Sequence, residues 1–215
     1  MAENKLIASI HACIKCKSIK SNMKVVTQEK KIPSDYGIVP KDIKIFFVAE
    51  SPPTSGRYFY HDGPPVSTFR IRLLRMLVEI GLLKNPDLQE FKNRGYYMAD
   101  TVRCPFQKAN NNATPPDPAV KNCRPFLIQE ISLYKPKVIC ALGKTALKAF
   151  LNTKHFRLSA YVGKLIEESS LRDEVSQLNI PVFASYFPLS MINWKTKLNA
   201  IKNLANLERC KVIFS

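Results

Sequence analysis

Four cysteines lie at two places in this sequence and could together hold one metal centre. Cys13 and Cys16 are separated by two residues, a spacing that lets both sulfurs point at one ion or cluster. Cys104 and Cys123 lie far apart, each beside a loop or a helix start, so each needs a partner from elsewhere in the chain. If the N-terminal segment folds back onto the loop around Cys104, the four thiols meet.

Both zinc and iron–sulfur clusters accept four thiolates. Structural zinc sites usually combine two short cysteine pairs, and the second pair here is widely opened, so the pattern favours iron–sulfur over zinc. The remaining alternative is four ordinary buried thiols, since cysteine is among the most buried residue types. We predict that Cys140, inside an apolar strand, and Cys210, near the C-terminal end, are core or surface thiols.

The hydrophobic pattern predicts strands that alternate with helices. The predicted strands are Lys44–Glu50, Gly95–Thr101, Lys137–Leu142 and Pro181–Phe187, with Val162–Glu167 as an extra edge strand. The predicted helices are Lys5–Ile14, a helix that Ser67 and Thr68 cap and that runs to about Ile80 with Arg70, Arg72 and Arg75 on its outer face, Asp117–Tyr134, Lys144–Asn152 and Asn193–Leu207. Helical connections of crossover length predict an α/β fold in which a parallel sheet is covered on both faces.

Polar residues follow the predicted strands at one edge of that sheet. Glu50 comes just before two prolines, which end the first strand. Asp100 lies near the end of the second strand, and Phe187 ends the last one. Because ligands bind at the carboxyl ends of parallel strands, we expect these residues to converge, beside the loop that carries Cys104.

The composition indicates a nucleic-acid partner. The 215 residues include 33 Lys and Arg against 17 Asp and Glu, a formal net charge of +16. An acidic membrane surface is a weaker candidate, because no apolar run reaches the ~18 residues of a spanning helix and the residues before the cysteine pair show no signal-peptide pattern. We expect one domain over residues 1–215 with an N-terminal arm of about residues 1–42, a monomer, and a reducing, cytoplasmic setting.

Several motifs, taken in order, resemble the uracil-DNA glycosylase superfamily, in its iron–sulfur branch (families four and five). From about Cys13 to the last helix, they are the Cys13–Cys16 pair, VAESPP, Val102–Pro105, Asn122–Leu127, Pro136–Gly143, Gly163 and PVFASYFPLS. The resemblance implies a three-layer α/β/α sandwich with a short parallel sheet, and DNA as the partner. It also implies a four-iron (4Fe-4S) cluster on Cys13, Cys16, Cys104 and Cys123, and monofunctional hydrolysis of the N-glycosidic bond of a deaminated or damaged base in DNA repair.

The sequence departs from that family at three positions. Phe187 stands where the family has a His that stabilises the negative charge on the departing base. Asp100 stands where family four has an Asn that reads the edge of uracil. Pro53 replaces a preferred Gly.

Extraction of a base requires a stacking aromatic residue, an edge reader, a partner for water and a wedge. We predict that Phe59 stacks on the base, although such a ring could equally pack in the core. Asp100 would accept a hydrogen bond from an exocyclic amine or orient a water, unless it only caps a helix or forms a loop salt bridge; Glu50 is the rival partner for water. His61 either replaces the missing His or lies on the surface.

The other predicted site residues line the base or contact DNA. They are Ser51, Pro52 and Phe187 in the base site, Leu189 or Met191 as the wedge, and Ser190, Lys195 and Lys197 at phosphates, a role also open to Ser51. Two alternatives remain: a member of the same fold that has lost catalysis and recognises damaged or single-stranded DNA, and an RNA-binding protein with zinc or a cluster, favoured only by charge.

Overall fold

The computed structural model describes residues 2–17, 19, 32–38, 41–55, 58–106 and 114–209, with only the backbone of residues 208 and 209. Part of the predicted N-terminal arm and Cys210 therefore lie outside the described residues.

The centre of the fold is a four-stranded parallel sheet. Its strands are β1 (Ile45–Ala49), β2 (Tyr96–Asp100), β3 (Val138–Leu142) and β4 (Val182–Ser185), in the order β2-β1-β3-β4. Ala49 lies opposite Asp100 in the register, so the carboxyl ends of β1 and β2 lie side by side. The strands read as short, nearly continuous apolar runs because both faces of the sheet are buried.

Helices cover both faces of the sheet. They are α1 (Ala2–Ala12), α2 (Thr68–Glu79), α3 (Leu88–Asn93), α4 (Asp117–Tyr134), α5 (Lys144–Phe150), α6 (Asp173–Ser176) and α7 (Trp194–Arg209).

The alternation of side chains along each strand divides the core in two. Phe46 belongs to the core on the side of α4 and α5, whereas its neighbour Phe47 belongs to the core on the side of α2, α3 and α7. Leu127 of α4 lies in the first core, and Leu73 of α2 and Leu204 of α7 lie in the second. The three-layer α/β/α sandwich predicted from the sequence is therefore confirmed.

Some local predictions differ from the structure. Helix α3 was not predicted; it has only six residues and is capped by Asp87, whose carboxylate accepts a hydrogen bond from the Glu90 N–H at 2.8 Å. The segment Val162–Glu167 does pair with β4, but irregularly, through a single antiparallel bridge between Leu165 and Phe183. In the described part of the chain, no helix is long and apolar enough to cross a membrane.

Candidate active site

A cavity of about 470 Å³ opens at the carboxyl edge of the sheet, beside the ends of β1 and β2. Its lining is largely apolar and aromatic. The described residues that line it are Ala49, Ser51, Pro52, Pro53, Thr54, Ser55, Phe59, Ser67, Thr68, Phe69, Met98, Asp100, Phe106, Phe187 and Leu189. An apolar pocket with a few polar groups at a strand edge is typical of a site for a flat organic ligand such as a base.

Aromatic rings form the walls of this pocket. Phe69 and Phe187 stack with ring centroids 5.2 Å apart and planes within 14° of parallel. Phe59 meets Phe69 edge to face at 6.1 Å and packs on Phe91 of α3, and the residue as a whole is 8% exposed. Phe59 thus both packs in the core and faces the pocket.

A buried arginine holds the loop that carries Phe59. The Arg70 guanidinium donates to the backbone carbonyl oxygens of Phe59 at 3.0 Å and of His61 at 2.8 Å. The sequence-based placement of Arg70 on the outer face of α2 is therefore wrong: the side chain turns inward because two loop carbonyls need a donor. Burial lowers the pKa of Arg70, an effect that Asp62 partly opposes.

Asp100 is the only carboxyl group among the described residues that line the pocket. Burial raises its pKa from 3.8 to about 7; Arg103 lowers the pKa, and the carboxylates Glu50 and Glu130 raise it further. Arg103 itself forms a buried ion pair with Glu130. The Glu130 carboxylate also accepts a hydrogen bond from the Tyr97 hydroxyl at 2.8 Å. The nearest cation is thus shared with another carboxylate, and Asp100 is held near the midpoint of its titration at neutral pH.

Glu50 lies next to the pocket, on the side of α5. Its carboxylate accepts a hydrogen bond from the Thr145 hydroxyl at 2.7 Å and is partly exposed. It does not line the pocket itself, but it is close enough to Asp100 to raise the pKa of that residue.

The loop after β4 forms one lip of the pocket, and a buried lysine holds it. The Lys197 ammonium donates to the carbonyl oxygens of Pro188 at 2.9 Å and Ser190 at 2.8 Å. The side chain is 4% exposed, and burial lowers its pKa. The predicted phosphate contact of Lys197 is therefore replaced by an internal one, since its ammonium group donates hydrogen bonds to both loop carbonyl oxygens.

Beyond that lip the loop exposes apolar side chains beside a group of cations. Met191 is 94% exposed and Leu189 43%. The guanidinium groups of Arg72 and Arg75 lie 5.7 and 5.4 Å from the Trp194 ring centroid. An exposed apolar loop close to arginine side chains suits a nucleic acid better than a small free ligand, even though Glu79 pairs with Arg75 at 2.8 Å.

The N-terminal segment folds back onto α4, as the cysteine pattern required. Ile10 of α1 packs with Phe126 of α4, and the Tyr134 hydroxyl donates to the Glu3 carboxylate at 2.9 Å. The Asn122 side-chain amide donates to the Lys15 carbonyl at 3.3 Å. These contacts bring the Cys13–Cys16 turn to the start of α4.

Three of the four thiols interact directly there. The Cys104 thiol raises the pKa of Cys16 to about 11, and Cys16 in turn raises that of Cys123, whose sulfur accepts a hydrogen bond from the Arg103 N–H. In the described residues, no three Cys, His, Asp or Glu side chains form a group able to hold a single metal ion. Neighbouring thiols that raise one another's pKa are groups that a bound cation would hold as thiolates.

Comparisons with known proteins place this architecture. The sequence model of the Uracil DNA glycosylase superfamily matches residues 36–210. The chain belongs to this superfamily. It is 30% identical over 127 residues to the type-4 uracil-DNA glycosylase of Thermotoga maritima, a match that covers 59% of this chain and 58% of that enzyme. It is 25% identical over 191 residues to the type-4 enzyme of Archaeoglobus fulgidus, covering 87% of this chain and 81% of that enzyme.

The structure brings part of the predicted superfamily site together. The predicted residues that line the pocket are Ser51, Pro52, Phe59, Asp100, Phe187 and Leu189. The predicted residues outside its described lining are Glu50, His61, Ser190, Met191, Lys195 and Lys197. The His61 and Lys195 side chains are exposed, so His61 does not take the place of the missing His in this conformation.

Several pocket residues escaped prediction. Phe69 falls on the apolar face of a helix and Phe106 two residues beyond a cysteine, so both resembled core or loop residues. Met98 is an ordinary strand residue by sequence. The Arg103–Glu130 pair joins residues far apart in the chain, and only its charges in otherwise apolar segments could have indicated it.

Proposed function

We propose that this protein is a DNA glycosylase that hydrolyses the N-glycosidic bond of uracil or a related deaminated or damaged base. The observation that carries the proposal is the aromatic pocket at the carboxyl edge of the sheet, with Asp100 as its single acidic group among the described residues. Membership of the superfamily and the similarity to two type-4 uracil-DNA glycosylases support it.

The target base must leave the DNA stack to reach this pocket. The exposed Met191 and Leu189 would fill the vacated space, while Ser190, Lys195 and the cations around Trp194 contact phosphates. The base would then lie against the ring of Phe59, with its polar edge toward Asp100.

Hydrolysis adds water to C1′ of the sugar while the N-glycosidic bond breaks. The bonding electron pair leaves with the base, which gains a proton, and the attacking water loses one. We assign the orientation of that water to Glu50, whose carboxylate Thr145 fixes beside the pocket. Phe187 supplies an apolar wall but no hydrogen bond, so the departing base is stabilised by Asp100 and not by the usual His.

We further propose that Cys13, Cys16, Cys104 and Cys123 hold a four-iron cluster, with zinc as the alternative. Such a centre would join the N-terminal segment to α4 and to the loop after β2, and its role would be structural. A backbone hydrogen bond would help to orient one of these ligands, because the Arg103 N–H donates to the Cys123 sulfur.

One observation favours a second function, DNA binding without catalysis. Phe187 stacks on Phe69 and offers no donor where charge develops on the base. In that case the protein would recognise damaged or single-stranded DNA with the same surface.

An oligonucleotide assay separates the two functions. Purified protein is incubated with DNA that carries uracil, hypoxanthine, xanthine, ethenocytosine or cytosine, and alkali then cleaves any abasic site. We expect release of at least one deaminated base, and loss of release in a Phe59→Ala variant, with Lys121→Ala on exposed α4 surface as the control. Tight binding without release supports the second function. If the protein neither binds the DNA nor releases a base, both functions are contradicted.

A further inference from the structure

We infer that Asp100 pairs with the target base as a neutral carboxylic acid and thereby reads the lactam edge that deaminated bases share. This inference rests on the proposed function. A neutral carboxyl group has one O–H donor and one carbonyl acceptor. The lactam edge of uracil, hypoxanthine or xanthine presents an N–H donor next to a C=O acceptor, so two hydrogen bonds form side by side.

The geometry of the pocket favours the neutral form. Phe59, Phe69, Phe106 and Phe187 line the same pocket as the carboxyl group, and this apolar surface disfavours a charge there. In the described part of the chain Asp100 makes no side-chain hydrogen bond or ion pair, so nothing there consumes its donor and acceptor. A bound base removes further water and increases the preference for the neutral acid.

Most of the charged and titratable groups near Asp100 also favour its neutral form. Glu50, after β1, and Glu130, on α4, repel a negative charge at this position. Tyr60, in the loop before α2, interacts electrostatically with Asp100, and burial raises the pKa of Tyr60. Arg103 is the opposing cation, and its guanidinium is already paired with Glu130. Together with burial, the two glutamates raise the pKa of Asp100 to about 7.

The neutral acid resolves a conflict in the sequence. An ionised Asp would place a carboxylate oxygen against uracil O4, and the two acceptors would repel. With the proton in place, Asp100 offers the same donor and acceptor as the Asn that occupies this position in family four. Uracil is therefore an allowed substrate despite the substitution.

The test compares the native protein with Asp100→Asn across pH. Single-turnover release of uracil is measured from about pH 6 to about pH 8.5 for both proteins. Because Asn does not titrate, the ratio of the variant rate to the native rate cancels other pH effects. We expect this ratio to rise, approaching tenfold per pH unit above about pH 7.

A second measurement does not depend on catalysis. Binding to DNA with a 2′-fluorinated uracil nucleotide, whose glycosidic bond resists hydrolysis, should weaken above neutral pH for the native protein more than for Asp100→Asn. Glu50→Gln removes one neighbouring carboxylate and should move the midpoint of this loss to lower pH.

The possible outcomes are distinguishable. A ratio that stays constant across pH, in both release and binding, overturns the inference, and a ratio that falls with pH shows that Asp100 acts as an ionised base. If neither protein releases any base, the proposed function fails, and the binding measurement still decides how Asp100 is protonated.

Discussion

At the scale of single residues, Asp100 differs from an acid placed for stability. An acid kept for folding would be paired, yet the nearest cation, Arg103, is bound to Glu130. A partly buried acid with a displaced pKa in a pocket is a frequent mark of a functional site. The unpaired carboxyl group should therefore cost the protein stability, and this cost should depend on pH.

We predict that Asp100→Asn stabilises the protein at alkaline pH. Below about pH 4 the carboxyl group is protonated in both the folded and the unfolded chain and contributes nothing. Between about pH 4 and about pH 7 the unfolded chain ionises while the folded chain keeps its proton, so native stability falls as pH rises. The gain from Asn should grow over this range and level off above it, at a few kcal/mol.

Urea unfolding at about pH 5 and about pH 8 measures this gain. Asp173→Asn, at the exposed start of α6, is the matched control and should show little change with pH. An equal gain from Asp100→Asn at both pH values would show that the pKa of Asp100 is not raised in the folded protein.

A second prediction concerns the cluster that we propose for the four cysteines. Purified native protein should be brown with broad visible absorption, and Cys104→Ala should bleach it and destabilise the fold, because the thiol lies where the N-terminal segment meets α4. Cys140→Ala, a buried thiol of β3, is the control and should keep the colour. Colourless native protein with stoichiometric zinc would reject the cluster.

At the scale of elements, sequence patterns predicted most of the sheet and the long helices. Strands such as β1 are apolar on both faces, and α4 has a helical period, so both stand out in a single sequence. The inward turn of Arg70 and Lys197 could not be predicted in this way. Both are cations on helices, and only the loop carbonyls that come to rest beside them decide their direction.

Gly143 shows how closely two elements meet at the site. It has a φ of 88°, which favours glycine, and a Cβ on it would lie 2.9 Å from the Cβ of Phe187. The start of α5 and the loop after β4 therefore touch directly. The position of Phe187 depends on this contact as well as on Lys197.

We predict that Lys197 positions the loop after β4. Lys197→Met keeps the apolar stem but leaves the carbonyl groups of Pro188 and Ser190 without their donor, at a cost of about 1–3 kcal/mol. Release of the base should fall on the order of tenfold or more because the pocket lip moves. Trp194, the single tryptophan, lies beside Lys197, so its quenching by acrylamide should increase.

Lys195→Met, an exposed change on the same helix, is the control for this variant and should leave the fluorescence unchanged. Normal release of the base by Lys197→Met, together with unchanged fluorescence, would show that the lysine is not needed to hold the loop.

At the scale of the whole molecule, the charge of +16 should govern how the protein meets DNA. Binding of a strongly basic protein to DNA releases condensed counterions, so affinity falls as salt rises. Arg72 and Arg75 lie over the ring of Trp194, three residues after the exposed Met191, so we expect part of this charge to act near the loop after β4. The slope of log affinity against log salt therefore measures how many phosphates the surface neutralises.

We predict a steep salt dependence for undamaged DNA. A surface with about six phosphate contacts should lose roughly a thousandfold in affinity between about 50 and about 200 mM salt. Arg72→Gln and Arg75→Gln should each lower the slope of log affinity against log salt by about one if each neutralises one phosphate. Lys121→Gln on α4, distant in sequence from the pocket segments, is the control and should leave the slope unchanged. An affinity that does not respond to salt would contradict a nucleic-acid partner, whereas a steep slope unaffected by both arginine variants would move the DNA surface away from Trp194 while leaving the partner itself supported.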